Sequence, residues 1–306
     1  MSGTVVALGV FDGVHIGHQR LLKKADALSK GTGFKSIALT FHPHPASVLN
    51  PAGGPPLITS IDRRTELLLE TGIDEVLVYP FTKDFASLSS EDFVRYILKD
   101  EIDARMVVVG FNFIFGRGGT GTTDILKVLG EKHGFTVEIV EPVTIDGQII
   151  GSTEIRRRIS DGDVEGASLL LGRNFCMSGK VVSGAGRGRT LGYPTANLCV
   201  EDGLIYPGDG VYAGIVNLEG KIHYGLVNVG YAPTFQGYQR NIEVHILDFH
   251  RDIYGCSMRV EFIKRIRSER KFPGAEALKA QIKADIDNVK EHTSSFNNRL
   301  FTYSSA

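Results

Sequence analysis

Apolar runs at residues 5–8, 36–41, 75–79, 106–110 and 135–140 recur through the first half of the chain, each the length of a buried strand. Between them the apolar positions fall three and four apart. Leu21, Leu22, Ala25 and Leu28 share one helical face. The helix ends carry recognisable signals. Thr59 and Asp62 open one that Gly72 closes, Ser89 and Asp92 make a capping-box-like start before Phe93, Ile97 and Leu98, and Gly134 ends another that begins near Thr123. Strands separated by single helices build βαβ units, so this half is expected to form a parallel sheet with helices on both faces. Ligands bind such sheets beyond the carboxyl ends of the strands.

Asp146 and Gly147, between apolar triplets, predict a hairpin turn, and residues 163–172 read as a short helix ended by Gly172. After Arg173 the texture changes. Short alternating runs occupy residues 211–217, 222–229, 242–249 and 258–263, the first two joined at Glu219 and Gly220. They predict a small closed antiparallel barrel. Leu278, Ile282 and Ile286 fall on one face of a final helix, from residue 275 to about 289, and the polar stretch after His292 reads as a loose tail. The pattern thus divides the chain into domains at residues 1–171 and 172–293, with a tail at 294–306.

Composition changes this picture little. A chain of 306 residues with 42% hydrophobic and 23% charged residues suits two ordinary globular cores. A formal net charge of −1 gives no electrostatic reason to expect a nucleic-acid or membrane partner. No run approaches the length of a membrane span, and the N-terminus lacks a signal-peptide pattern. Cys176, Cys199 and Cys256 are far apart and show no C-x-x-C, which suits reduced, structurally buried thiols and a cytoplasmic location. The sequence leaves oligomeric state open.

The candidate chemistry begins where the first strand meets the first helix. Residues 9–18 read GVFDGVHIGH. His15 and His18 fall at the first helical turn, where free N–H groups and the positive end of the helix dipole suit a polyphosphate. Gly13 and Gly17 allow close main-chain approach, and two imidazoles three residues apart can face one phosphate. The pair could instead be half a zinc site, with His42 and His44 as further ligands, or be structural. His42 and His44, in the proline-stiffened FHPHP after the second strand, read either as ligand-binding or as surface residues. Residues 109–122, VGFNFIFGRGGTGT, follow the fourth strand. There Asn112 offers an amide, Phe113 and Phe115 offer flat apolar surface, and Gly116 permits close approach. Ser152 and Thr153 can cap a helix or bind phosphate, and Arg156 can neutralise a leaving group; alone they read as a surface cap, and paired with the histidine motif on the same sheet they read as phosphate ligands.

In the second half the string GAGRGRTLGYPTAN spans residues 184–197. It is not a dinucleotide fingerprint, since no helix is expected to follow. Gly184, Gly186, Arg187, Gly188, Arg189 and Gly192 make a basic glycine loop able to cover an anion, leading into Pro194. Thr195 and Asn197 supply hard oxygens suited to Mg²⁺ carried in with a nucleotide. Glu243 reads from periodicity alone as an outward-facing strand residue.

Both strings carry a resemblance. GVFDGVHIGH is similar to the bacterial FAD synthetase version of the H-x-G-H signature of nucleotidylyltransferases, and residues 109–122 and 152–156 resemble that family's later segments. The loop at 184–197, with residues 210–212, 228–235, 243–249 and 266–272, resembles the riboflavin kinase signature. Together, from about residue 5 to 289, the chain resembles the bacterial bifunctional riboflavin kinase/FAD synthetases. The resemblance implies a Rossmann-like nucleotidylyltransferase domain and a riboflavin kinase-like barrel. It implies ATP, riboflavin and FMN as substrates, FAD as product, and Mg²⁺ as companion to ATP. His15, His18 and Arg156 are then expected to stabilise phosphate charge, Gly9, Phe11 and Asp12 to belong to the first binding site, and Glu243 to be the kinase's general base. Two departures stand out: the motif starts at residue 9, so the dozen or so residues that usually precede it are expected to be missing, and some members carry Asp at Asn112. Another nucleotidylyltransferase, or a flavin sensor without turnover, are the alternatives that the residues leave.

Overall fold

The computed structural model describes residues 3–184, 186–234 and 237–303, without the side chains of residues 187, 232–234, 237–239 and 292–303. Of the positions singled out above, Phe235, the Arg187 side chain and the last three tail residues lie outside the described residues. The chain divides into two compact units, residues 1–152 and 153–306.

The first unit is built on five parallel strands: β1 (Thr4–Leu8), β2 (Lys35–His42), β3 (Glu75–Pro80), β4 (Ala104–Gly110) and β5 (Thr136–Val140), in the order β3-β2-β1-β4-β5. The order reverses at β1, which has β2 on one side and β4 on the other, so the crevice for a ligand opens at its carboxyl end. Alternate residues feed two cores. Val6, Leu8, Leu39 and Val107 face one side, with Phe93, Leu98 and Leu126; Val5, Ala7, Ala38 and Val108 face the other, with Leu21, Leu22 and Leu68.

The crossovers are α1 (Ile16–Thr32), then α2 (Pro45–Leu49) and α3 (Ile61–Leu69), then α4 (Lys83–Ala86) and α5 (Ser90–Asp92), and finally α6 (Thr123–His133). Ser60, rather than Thr59, caps α3, its Oγ accepting from Arg63 N at 3.2 Å. Ser89 and Asp92 form the expected box: Asp92 N donates to Ser89 Oγ at 3.0 Å. Phe93–Glu101 continues as a π-helix, which the apolar spacing did not indicate; Ile102 N reaches back five residues to Ile97 O at 3.1 Å. The hairpin β6 (Thr144–Ile145) and β7 (Gln148–Ile149) turns at Asp146 and Gly147 as expected.

The second unit opens with α7 (Ser152–Asp161), whose first residue belongs to the first unit, and α8 (Val164–Leu171), capped by Asp163 and ended by Gly172. Six antiparallel strands then close a barrel: β8 (Phe175–Val182), β9 (Ala196–Val200), β10 (Gly210–Leu218), β11 (Lys221–Thr234), β12 (Gly237–Ile246) and β13 (Ser257–Ser268). A single helical turn, α9 (Arg187–Thr190), sits in the glycine loop where no helix was expected. On β9 the inward places belong to Ala196 and Leu198, so Cys199 faces out and is exposed, against the expectation of burial.

The last helix, α10 (Ala275–Tyr303), runs well past residue 289. Residues 290–303 contain neither glycine nor proline, so nothing local ends it where the apolar face stops. Ile282, Ile286 and Val289 pack on Val211, Ala213 and Leu226 of the barrel. Asp285, 2% exposed, accepts from Arg267 Nε at 2.9 Å, which fixes the register of helix on barrel.

Candidate active sites

Between β1 and α1 the backbone makes an unusual turn. Phe11 and Val14 lie at φ 53° and 39°, a left-handed region that β-branched residues rarely enter. The turn is held from behind. The Asp12 carboxylate, 2% exposed, accepts from Ile58 N at 3.0 Å and Thr59 N at 3.2 Å, and Gly13 N donates to Thr59 Oγ1 at 3.2 Å. Arg64, 1% exposed, reaches in from α3 to Asp12 Oδ1 at 3.4 Å and donates to Val10 O at 3.2 Å. Asp12 was expected among the ligand-binding residues; its carboxylate is instead turned inward, toward Ile58 N, Thr59 N, Thr59 Oγ1 and Arg64 Nη2. Arg64 and Thr59 were missed. Arg64 left a signal, as a charged residue in the apolar stripe that holds Leu67 and Leu68.

Removing one partner of such a buried pair strands the other charge. Arg64→Met is expected to destabilise the first unit by about 3 kcal/mol or more. Adding Asp12→Asn to Arg64→Met should recover part of that loss, read as the denaturant midpoint of each variant.

This support places the histidine pair. His15 caps α1, its Nδ1 accepting from His18 N at 3.3 Å. A nitrogen that accepts carries no proton, so the neutral ring keeps its hydrogen on Nε2 as a donor. The two rings stack with centroids 3.6 Å apart and planes 20° from parallel, both at the positive end of a 17-residue helix. Gly17 permits this: a Cβ there would sit 3.1 Å from the His15 ring.

His18 borders a cavity of about 600 Å³ at the carboxyl ends of β1 and β4. Its walls are apolar, formed by Phe11, Phe41, Phe81, Phe85 and Phe113, and its polar groups include His18 and Asn112. Gly9 and Gly116 complete the lining as expected, and Phe81 and Phe85, between β3 and α5, were missed. Arg117 N donates to Leu88 O at 2.7 Å, joining the glycine loop to that missed segment. His42 and His44 do not line the cavity. His44 Nδ1 caps α2, accepting from Ala46 N at 3.1 Å, and Pro45 is the neighbour that reaches the wall.

Ser152 Oγ, still in the first unit, donates to Asp12 O at 3.0 Å. Thr153 is exposed and Arg156 half-buried in the second unit. Arg157 and Arg158 pair with Glu154, and the Arg157 guanidinium foremost holds that carboxyl down to about 2.

The barrel carries a separate constellation. Pairing of β9 with β12 sets Asn197 opposite Glu243. Thr195 Oγ1 donates to Glu243 Oε2 at 3.3 Å, and Asn241 Nδ2 donates to Asn197 Oδ1 at 2.9 Å and Glu243 Oε1 at 3.2 Å. Glu243 is therefore no plain outward-facing residue, and Asn241 was missed because it too reads as one. His245 Nδ1 lies 2.8 Å from Pro194 O, fastening the start of β9 to β12. A cleft of about 320 Å³ opens here, lined by Arg189, Pro194, Thr195 and, on the far side, Phe249 and Arg251. Tyr193 N donates to Gly188 O at 2.8 Å, closing the glycine loop through Gly192. Gly186 begins α9 in left-handed conformation.

A Cβ at Gly184 would overlap the Asn197 amide. Gly184→Ala is expected to displace that amide from the Asn241 hydrogen bond and disturb the cluster around Glu243; a crystal structure of the variant checks this. Among the described residues, no three His, Cys, Asp or Glu side chains group so as to hold a metal ion. No helix among them is long and apolar enough to cross a membrane.

Comparison with known proteins identifies the two halves of the chain. The FAD synthetase family model matches residues 1–154, and the riboflavin kinase model residues 171–293. The bifunctional riboflavin kinase/FMN adenylyltransferase of Bacillus subtilis is 39% identical over 288 residues, covering 92% of this chain and 90% of that protein. Its Escherichia coli counterpart is 34% identical over 291 residues, covering 95% and 93%. A Streptococcus pneumoniae crystal structure, named a macrolide-efflux protein, superposes with a TM-score of 0.86 at 36% identity, covering 94% of each chain. With a parallel-sheet unit and a closed barrel matched by these two family models, in the order of those relatives, the chain belongs to the bifunctional riboflavin kinase/FMN adenylyltransferases, which make FMN from riboflavin and FAD from FMN.

Proposed function

We propose that the two steps divide between residues 1–171, which convert FMN to FAD, and residues 172–293, which convert riboflavin to FMN, with residues 294–306 as a tail outside both. In the first, an FMN phosphate oxygen attacks the α-phosphorus of ATP, the bond to the bridging oxygen breaks, and pyrophosphate leaves. His15 Nε2–H and His18 stabilise charge on the phosphates at the helix terminus, Arg156 neutralises the leaving pyrophosphate, and Ser152 and Thr153 assist. The aromatic cavity beside Asn112 and Phe113 takes a flat ring. What carries this reading is one observation: two stacked imidazoles at a helix N-terminus, one of them on the rim of that apolar cavity.

In the second step the riboflavin 5′-hydroxyl attacks the γ-phosphorus of ATP, its proton passes to Glu243, and ADP leaves. Arg187, Arg189 and the surrounding glycines cover the phosphates. Thr195 and Asn197 fit Mg²⁺: the Thr195 hydroxyl proton is directed at Glu243, so its lone pairs remain for a hard cation, and the Asn197 carbonyl is a second oxygen. Bound there with ATP, Mg²⁺ supplies charge neutralisation on the transferred group. The partners are small molecules, and the setting is the cytoplasm.

The test is chromatography of products after incubation with riboflavin, ATP and Mg²⁺, with a chelator control. FMN followed by FAD, both lost with chelator, is the expected result. Undiminished FMN formation in chelator would remove the metal from the scheme, and absence of both products would favour the sensor alternative.

A further inference from the structure

On β12, Asn241, Glu243 and His245 share one face, and the Asn197 and Thr195 side chains meet it from β9 and the residues before it. The hydrogen-bond chemistry of this group has one consistent assignment. An ionised carboxylate only accepts, so the Asn241 amide must turn its NH₂ toward Glu243. The second hydrogen of that NH₂ lies 2.9 Å (nitrogen to oxygen) from the Asn197 side chain, which must therefore present its carbonyl oxygen. The charge of Glu243 thus orients Asn241, and Asn241 orients Asn197.

We propose that Asn241 is a positioning residue for the kinase step. One NH₂ group locks the Glu243 carboxylate and the Asn197 amide oxygen into a single arrangement. With Thr195 donating to the other carboxylate oxygen, the base is held in one plane before substrate arrives. Asn241 exchanges no proton and has no assigned contact with substrate; it acts through Glu243 and Asn197, whose freedom it removes. This rests on the reading of Glu243 as general base.

Asn241→Asp and Asn241→Leu, both close to asparagine in size, test it. Asp cannot donate when ionised and adds a like charge beside Glu243; Leu only removes the donor. Loss of one hydrogen bond to a charged group predicts a fall in kcat for FMN formation of roughly 10- to 100-fold. Asn241→Asp should be the slower variant. KM for riboflavin, riboflavin binding followed by its own fluorescence without ATP or metal, the melting temperature, and FAD formation from supplied FMN should stay near the starting values. A packing role predicts near-normal kcat for Asn241→Asp, which has the same shape, and that result overturns the proposal. If either variant melts early, Asn241→Ser carries the same comparison.

A double-variant cycle adds the decisive readout. In a Glu243→Gln background, Asn241→Leu should cost clearly less than in the parent protein, since the carboxylate it orients is gone and only its hold on Asn197 remains to be lost. A full additive loss overturns the proposal. Undiminished FMN formation by Glu243→Ala overturns the reading beneath it, a failure the Asn241 variants do not mimic.

Discussion

His15→Ala combined with His18→Ala should lower FAD formation from FMN by about 10³-fold or more, since loss of a single preorganised donor at developing charge already costs roughly 10²–10³. The same protein should phosphorylate riboflavin at its ordinary rate, because the constellation proposed for the kinase step is built from β9, β12 and the residues just before β9. Product chromatography from one incubation reads both: riboflavin is consumed and FMN accumulates. Two details sharpen the expectation. His15→Ala also removes the cap of α1, costing about 1 kcal/mol, so a melting curve should accompany the assay. His15→Asn, an accepted cap, separates the roles: stability returns and FAD formation does not. Simultaneous loss of FMN formation would contradict separate sites.

Glu243→Ala is the mirror image. A positioned base contributes about 10²–10⁴-fold, so FMN formation should fall by that much while supplied FMN is still adenylylated. Riboflavin binding should survive, because what is lost is a proton acceptor at the reacting hydroxyl. Rates measured separately with riboflavin and with FMN decide it; an unchanged first rate removes Glu243 as base. Glu243 also holds Thr195 and Asn241. Glu243→Gln, which keeps the shape but not the basicity, should therefore be nearly as slow.

Much of this architecture was legible in the chain because burial has a period. The five parallel strands, the hairpin at Asp146-Gly147 and the closed barrel follow from where apolar residues recur. So did the placing of His15 and His18 at a helix start, since a strand, a glycine turn and a helical face adjoin within 20 residues. Tertiary partners leave no such period. Asp12 sits inside the motif yet serves Ile58, Thr59 and Arg64, which are some 46 to 52 residues away. His44 looked like chemistry and is a helix cap, a role imidazoles seldom signal. Phe81 lies just after β3 and Phe85 in the single turn of α4, too short for either period to show, and only the fold turns them to the cavity. Asn241 alternates correctly for an outward strand residue; pairing with β9 makes that outward face a site. The end of α10 was misplaced because the apolar face stops before the helix does.

The cap on α1 has a consequence for anyone who selects this protein for heat resistance. Asparagine or aspartate is a stronger cap than imidazole, so a library screened by survival after heating should enrich replacements at His15. Those winners would fold well, resist heat, still turn riboflavin into FMN, and make FAD roughly 10²- to 10³-fold more slowly. Any selection on robustness alone thus drifts toward half an enzyme, and assaying the second product in every round is the safeguard.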